Sequence, residues 1–390
     1  MKKIFVPLLL ASALGVAATS ATAANQPTQF DVLIGTYTGA TSKGIYRYRF
    51  DSATGQLDAK PLQVVDTENP SWLTLNHDQT RVYVVNENGP GAKDNLGKVS
   101  TFTLDRRTHD LKFSGQVLSR GDEPTFSSLA KGEQHLFVAN YAVHPDPGGS
   151  LAVLPIDRKG DLTEVAQQER HPASKVNPER QASSHVHSVV SSPDGRFVYV
   201  QDLGADKIFV YHYDASKTSH PLTAANPASV DLPPGSGPRH LLFSADGKHA
   251  YLSLEMAGQV AVFDVQQGNL VRKQLVDLAA GQDPEHKAGA ALHFSADGKL
   301  LYVTNRGKSN EILVFAIDGK TAELKELQRR SVEGIEPREF SIDPSGKYVL
   351  IANQKSNQIV VVKRDPATGL LGATTQTFAI DSPSDIKFLR

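Results

Sequence analysis

The amino-acid sequence predicts an all-β protein, a seven-bladed β-propeller whose blades are four-stranded antiparallel sheets. Three observations carry this. A strand, turn, strand pattern recurs six times along the chain, the chain ends on an opening strand with no continuation, and it begins on the strands that this ending lacks. Pairing N- and C-terminal strands in one blade closes the ring and removes two exposed sheet edges.

Each copy of the pattern opens with a short strand, usually at Pro or His. A turn often written Asp-Gly follows, then a second apolar strand ending on a polar residue. The copies run from Pro70 to Glu87, Pro124 to Tyr141, His185 to Asp202, Pro238 to Glu255, Ala290 to Arg306 and Pro337 to Gln354. A third β-rich run follows each, such as Gln259 to Phe263 or Glu311 to Phe315, and then a weaker fourth. Alternation, β-branched and aromatic residues, and Gly or Asp turns mark these runs as strands. Four strands per unit of roughly 46 to 60 residues is the signature of a propeller blade. Pro383 to Phe388 reads as the first strand of a seventh unit, completed by Phe30 to Tyr37 and Gly44 to Phe50.

The chain of 390 residues is 39% hydrophobic and 21% charged, ordinary for a large buried core. With 41 Lys and Arg against 42 Asp and Glu, no footprint for nucleic acid or an anionic membrane is expected, and small molecules are the expected partners. Cysteine is absent, which excludes disulfides, thiolate nucleophiles and cysteine metal sites.

Residues 1–23 read as a secretory signal peptide. Lys2 and Lys3 precede the apolar run Ile4 to Ala18 and a small-x-small site, with cleavage expected after Ala23 and the periplasm as destination. An uncleaved anchor is disfavoured because the run is shorter than the about 20 residues of a spanning helix. Residues 24–390 then form the propeller, with no linker or composition shift to suggest a second domain. A closed ring needs no partner to cover its edges, so a monomer is expected. Two insertions interrupt the spacing, at 141–149 and 167–184. Such segments lie on the surface, either shaping a binding site or forming a disordered rim.

The repeat also predicts where chemistry sits. In an antiparallel blade the innermost strand begins on the face where the second strand ends. The polar marks at these two points therefore converge on one mouth of the central channel: Glu87, Asn140, His185, His187, Asp202, Arg239, His240, Glu255, Arg306, Arg338 and Asn353. Such a concentration of charge must be paired, solvated or occupied by a ligand, and an anionic substrate is the simplest occupant. Guanidinium groups suit carboxylate or phosphate oxygens. The blander readings are salt bridges between blades for Arg239 and Arg338, and a blade-linking acceptor for Glu255. His185 and His187 alternate on one strand as a metal pair would, but no third ligand lies nearby in sequence, so no metal is expected. The Asp-Gly pairs read as turns.

These residues carry a resemblance. Gly35-Thr36-Tyr37-Thr38, Gly44-Ile45-Tyr46, Asn69-Pro70-Ser71, Ala139-Asn140-Tyr141, His185-Val186-His187, Asp202 to Asp206, Gly235 to His240, Asn305-Arg306-Gly307 and Glu336-Pro337-Arg338 occur in order along the mature chain. The chain thereby resembles the propeller-type 6-phosphogluconolactonases, the lactonase family, related to fungal carboxy-muconate lactonising enzymes. The resemblance implies hydrolysis of a sugar-acid lactone without a cofactor, with His187, Arg239, Glu255 and Arg306 as catalytic residues. His187 or Glu255 would serve as general base and acid, and the two arginines would stabilise the oxyanion or hold a substrate carboxylate or phosphate. His185, His240, Arg338, Asn140 and Glu87 are the expected substrate contacts. The export signal departs from the cytoplasmic setting of a 6-phosphogluconolactone-like substrate and points to an unphosphorylated aldonolactone or another cyclic ester outside the cytoplasm. Two alternatives stay open: a muconate-type intramolecular lyase, and a non-catalytic propeller binding an envelope component.

Overall fold

The computed structural model describes Met1 and residues 28–39, 41–89, 96–144, 146 and 148–390. Apart from Met1 the expected signal segment 1–23, with its cut after Ala23, lies outside the described residues, as do Pro145 and Pro147 of the 141–149 insertion. Among the described residues no helix is long and apolar enough to cross a membrane.

Seven sheets form, six of them from consecutive strands. Blade 4 is representative, with Pro238–Phe243 innermost, then His249–Leu254, Gln259–Gln266 and Asn269–Asp277 outermost. The seventh blade joins the chain ends, since Pro383–Phe388 pairs antiparallel with Gln29–Thr36, and Gly44–Asp51 continues the sheet. The innermost strands touch their neighbours in cyclic order through all seven blades, so the ring is closed.

The hydrophobic pattern follows from how blades stack. Second strands such as Phe197–Asp202 and Tyr348–Asn353 are buried on both faces, because a neighbouring sheet covers each. They therefore read as continuous apolar runs rather than alternations. Outermost strands such as Leu111–Leu118 are mostly exposed, which is why they are the weakest signal in the sequence. Each core cluster lies between blades: Tyr48 and Phe50 of the seventh pack against Tyr348, Leu350, Ile359 and Val361 of the sixth. The Asp-Gly pairs are turns, with Gly195, Gly247 and Gly298 all at positive φ. Asp194 accepts bonds from the Ser192 hydroxyl and the Arg196 amide of its own turn.

Two local features position the site. The innermost strand of every blade opens with a β-bulge, which leaves Ser71, Thr125, His187, Arg239, Ala290, Arg338 and Ser384 out of register with the second strand. A bulge re-aims the extra side chain. Just past the second strand, one backbone bond recurs in all seven blades: from Tyr37, Glu87, Tyr141, Leu203, Glu255, Arg306 and Gln354 to the carbonyl of Ser382, Asn69, Glu123, His185, Gly237, Ala288 and Glu336 respectively. Five of the accepting residues, Ser382, Asn69, Glu123, Gly237 and Glu336, sit at φ of 44°, 38°, 48°, 62° and 63°. The left-handed turn is thus a feature of the repeat, adopted by glutamate in two blades although side chains other than glycine rarely take it.

Candidate active site

Three of the bulged residues, Thr125, His187 and Arg338, and four of those just past the second strands, Glu87, Tyr141, Glu255 and Arg306, meet with Glu123 and Arg180 in one pocket of about 200 Å³. At about 30 Å³ per water this holds about seven waters, the space of one small ring.

Glu255 is the hub of one wall. Its Oε2 lies 2.7 Å from Arg306 Nη2 and 3.2 Å from Arg239 Nε, and its Oε1 lies 2.7 Å from Arg180 Nη2. Burial alone would raise its pKa. The Arg306, Arg180 and Arg239 guanidiniums outweigh that and hold the carboxyl well below the usual range. Glu255 is thus ionised at neutral pH, which removes it as a proton donor and leaves it as the counter-ion that aligns the arginines. Arg306 is also held by Glu336 at 2.9 Å.

Arg239, 1% exposed, lies beneath the pocket floor and does not line it. Burial and Arg306 push its pKa down to about 9, leaving it charged at pH 7. His187 Nε2 lies 3.7 Å from Glu255 Oε2, too far for a hydrogen bond, and its Nδ1 has no partner. Burial and the Arg239 charge drive its pKa well below the ordinary histidine value, so the imidazole is neutral with a lone pair to offer. His240 packs under it at 5.2 Å between rings, against Trp72 and Phe126, and is held neutral in the same way.

The opposite wall is built on Glu87, whose Oε2 accepts the Tyr37 hydroxyl at 2.8 Å and lies 3.4 Å from Arg338 Nη2. Arg338 also donates to Thr125 Oγ1 and stacks over the Tyr37 ring. Burial raises the Tyr37 pKa well above the usual value, which keeps the phenol a donor.

Of the residues marked in the sequence, Glu87, His187, Glu255, Arg306 and Arg338 line the pocket, while Arg239 and His240 lie beneath it. Asn140, Asp202 and Asn353 do not reach it. They occupy the preceding position, the last residue of the second strand, where the side chain locks loops between strands and blades. Asn353 donates to the Val332 carbonyl, Asp202 accepts the His185 amide, and Asn140 donates to Ser150. Gly121 and Gly334 leave room for these amides; a Cβ at Gly334 would stand 2.3 Å from Asn353 Nδ2. Leu254 holds this position in the fourth blade, so Glu255 is not the blade-linking acceptor. His185 stacks on Tyr141 at 4.6 Å, and its Nδ1 bonds the Tyr141 carbonyl, so it orients Tyr141 from behind rather than entering the pocket. Among the described residues no three His, Asp or Glu side chains are placed to hold a metal ion.

Five contributors went unmarked in the sequence. Tyr37 and Tyr141 share the register of Glu87 and Glu255, which would have revealed them. Thr125 shares the bulge position of His187 and Arg338. Glu123 sits on the loop before a blade, and Arg180 comes from the 167–184 segment, of which Gln167–Glu169 is not an insertion but the outermost strand of the second blade, the remainder lying outside the repeat. That remainder is anchored by Ser174 N to Gly204 O and by Gln181 Nε2 to Leu203 O, so it shapes the site.

The whole span carrying these residues, 31–388, matches the family model described as Lactonase, 7-bladed beta-propeller. The chain belongs to this lactonase family. It superposes on the periplasmic gluconolactonase PpgL of Pseudomonas aeruginosa with a TM-score of 0.89 at 50% identity, over 93% of this chain and 99% of that one. It is 32% identical to the 6-phosphogluconolactonase of Formosa agariphila, over 88% of this chain and 95% of the relative. It is also 28% identical to that of Bacillus subtilis, over 93% and 99%.

Proposed function

We propose that this lactonase hydrolyses an unphosphorylated aldonolactone to the open acid, and that residues 1–23 export the 24–390 propeller to the periplasm, where it acts as a monomer. The observation that carries the reading is the pairing of a neutral His187 with guanidiniums aligned by one ionised carboxylate. The imidazole takes a proton from water as that water attacks the acyl carbon. Arg306 and Arg180, fixed by Glu255, face the pocket and stabilise the negative charge that develops on the carbonyl oxygen. Arg239 supports them from below by completing the charge balance of Glu255.

The substrate class follows from the same inventory. Arg306, Arg180, Arg239 and Arg338 are each already bound to a carboxylate, and Glu87 and Glu123 line the pocket as well. A phosphate dianion would have to displace a carboxylate and sit near others, whereas sugar hydroxyls can donate to them. The periplasmic gluconolactonase likeness supports an export setting with the same preference.

The test is proton release from a panel of aldonolactones, with and without phosphate, and from a muconate diacid run in the lactonising direction, spontaneous rates subtracted. The expected result is turnover of neutral aldonolactones with higher kcat/KM than their phosphates. Preference for the diacid would favour the lyase, and a folded protein inactive on the whole panel would leave only a binding role.

A further inference from the structure

Glu87 and Glu123 approach the pocket from neighbouring blades, and the structure treats them oppositely. Glu87 accepts the Tyr37 hydroxyl at 2.8 Å and lies 3.4 Å from the Arg338 guanidinium. The Glu123 carboxyl, 4% exposed, makes no hydrogen bond or ion pair among the described residues. Its backbone is held firmly instead. The amide accepts no freedom, donating to Asn88 Oδ1 at 2.7 Å, the carbonyl takes the Tyr141 amide at 2.8 Å, and φ is 48°. A fixed backbone thus presents one buried, unpartnered carboxyl to the pocket in which the lactone would sit.

The charged and titratable groups that line the pocket with Glu123 are Glu87, Tyr141, Arg180, His187, Glu255, Arg306 and Arg338. Glu87 and Asp122 repel its ionised form, Arg338 opposes them, and the Tyr37 phenol is a further neighbour; Asp122 is itself bonded to His144 at 2.7 Å. Burial first, then Glu87 and Asp122, push the Glu123 pKa up to about 8, so at neutral pH the group carries a proton. A carboxyl kept protonated at neutral pH by its surroundings is a recurring source of a general acid.

We infer that Glu123 is the general acid of the reaction, the catalytic residue that delivers a proton to the ring oxygen as the lactone opens. This inference rests on the lactonase reading above. Water adds to the acyl carbon and loses a proton to His187. The bond from the acyl carbon to the ring oxygen then breaks, its electron pair stays on that oxygen, and the Glu123 proton converts it to a hydroxyl. Glu123 regains a proton from solvent and His187 releases one, so the sum is lactone plus water giving hydroxy acid. His187 and Glu123 divide the two proton transfers of the reaction.

The experiment is the pH profile of kcat between pH 6 and 9 on a neutral aldonolactone, for the wild-type chain, Glu123→Gln and Glu123→Asp, with Tm recorded for each. The wild type is expected to lose kcat above about pH 8. Glu123→Gln should stay folded with an unchanged KM, lose kcat by about 10²- to 10⁴-fold, and lose the basic limb. Glu123→Asp, which keeps an acid, should recover part of the rate and retain a basic limb. Glu123→Gln with wild-type kcat, or with reduced kcat and an unchanged basic limb, overturns the assignment while leaving the lactonase reading intact. A folded wild type that turns over no lactone overturns both.

Discussion

Replacing Glu255 by Gln keeps its shape and removes the charge that three guanidiniums share. The three contacts are unequal. Arg180 is about half exposed, with a side-chain accessibility of 45%, so water screens its loss and the cost there is about 0–1 kcal/mol. Arg306 keeps Glu336 at 2.9 Å. Arg239 keeps no carboxylate within ion-pair distance among the described residues, and leaving a buried charge unpaired costs about 3–5 kcal/mol. The expected loss is therefore about 3–4 kcal/mol, mostly from Arg239. With an unfolding entropy of about 2.1 cal/mol/K per residue, a chain of this length loses about 4–5 °C in Tm. Scanning calorimetry on the single variants and on Glu255→Gln/Arg239→Met measures this directly. The double variant removes both charges, so it should regain most of the stability while remaining inactive. Equal destabilisation by the single and double variants would refute the assignment of the cost to Arg239.

Three further outcomes follow from the same charges. Glu123 keeps its proton in the folded state up to about pH 8, while an unfolded glutamate loses it near 4.3. Between those values the unfolded state binds fewer protons and stability falls with rising pH by about 1.4 kcal/mol per unit; Glu123→Gln should therefore gain Tm relative to wild type on going from pH 5 to 8, and a constant difference would contradict its buried protonation. His187 and His240 behave oppositely: their folded pKa values are depressed, so the unfolded state takes up protons first and stability is lost as pH falls below about 6.5. His240→Gln should flatten that acid limb in thermal melts from pH 7 to 5. Arg180→Ala, which removes a rim residue from the 167–184 insertion, should change Tm by no more than about 1 °C and lower kcat/KM at least tenfold; unchanged kinetics would return the insertion to a passive rim.

The repeat made the fold legible because each blade repeats one physical problem: a second strand covered on both sides and a tight turn before it. Val200-Gln201-Asp202 and Leu350 to Asn353 show that run directly, and the ends at Phe30 and Phe388 complete one another for the same reason. The site was legible only to within one residue. Asn140, Asp202 and Asn353 are as polar as their successors, and nothing in a string of letters separates a side chain that bonds a loop from the next one, which turns toward the axis. The bulge that frees His187, Arg239 and Arg338 is a register event with no composition of its own. Glu123 was hidden by its left-handed backbone, a conformation that glutamate rarely advertises, and Arg180 by lying outside the repeat. Glu255 lines the candidate pocket as its register suggests, but only the three guanidiniums around it reveal that its carboxyl is held ionised.

The most direct test of a hydrolytic site centred on His187 is its catalytic rate on glucono-1,5-lactone, measured by proton release at pH 7 beside His187→Ala of unchanged Tm. The account predicts wild-type turnover well above the spontaneous rate and a loss of about 10²- to 10⁴-fold in kcat for the variant. Wild-type and His187→Ala rates that coincide, with both proteins folded, would contradict it.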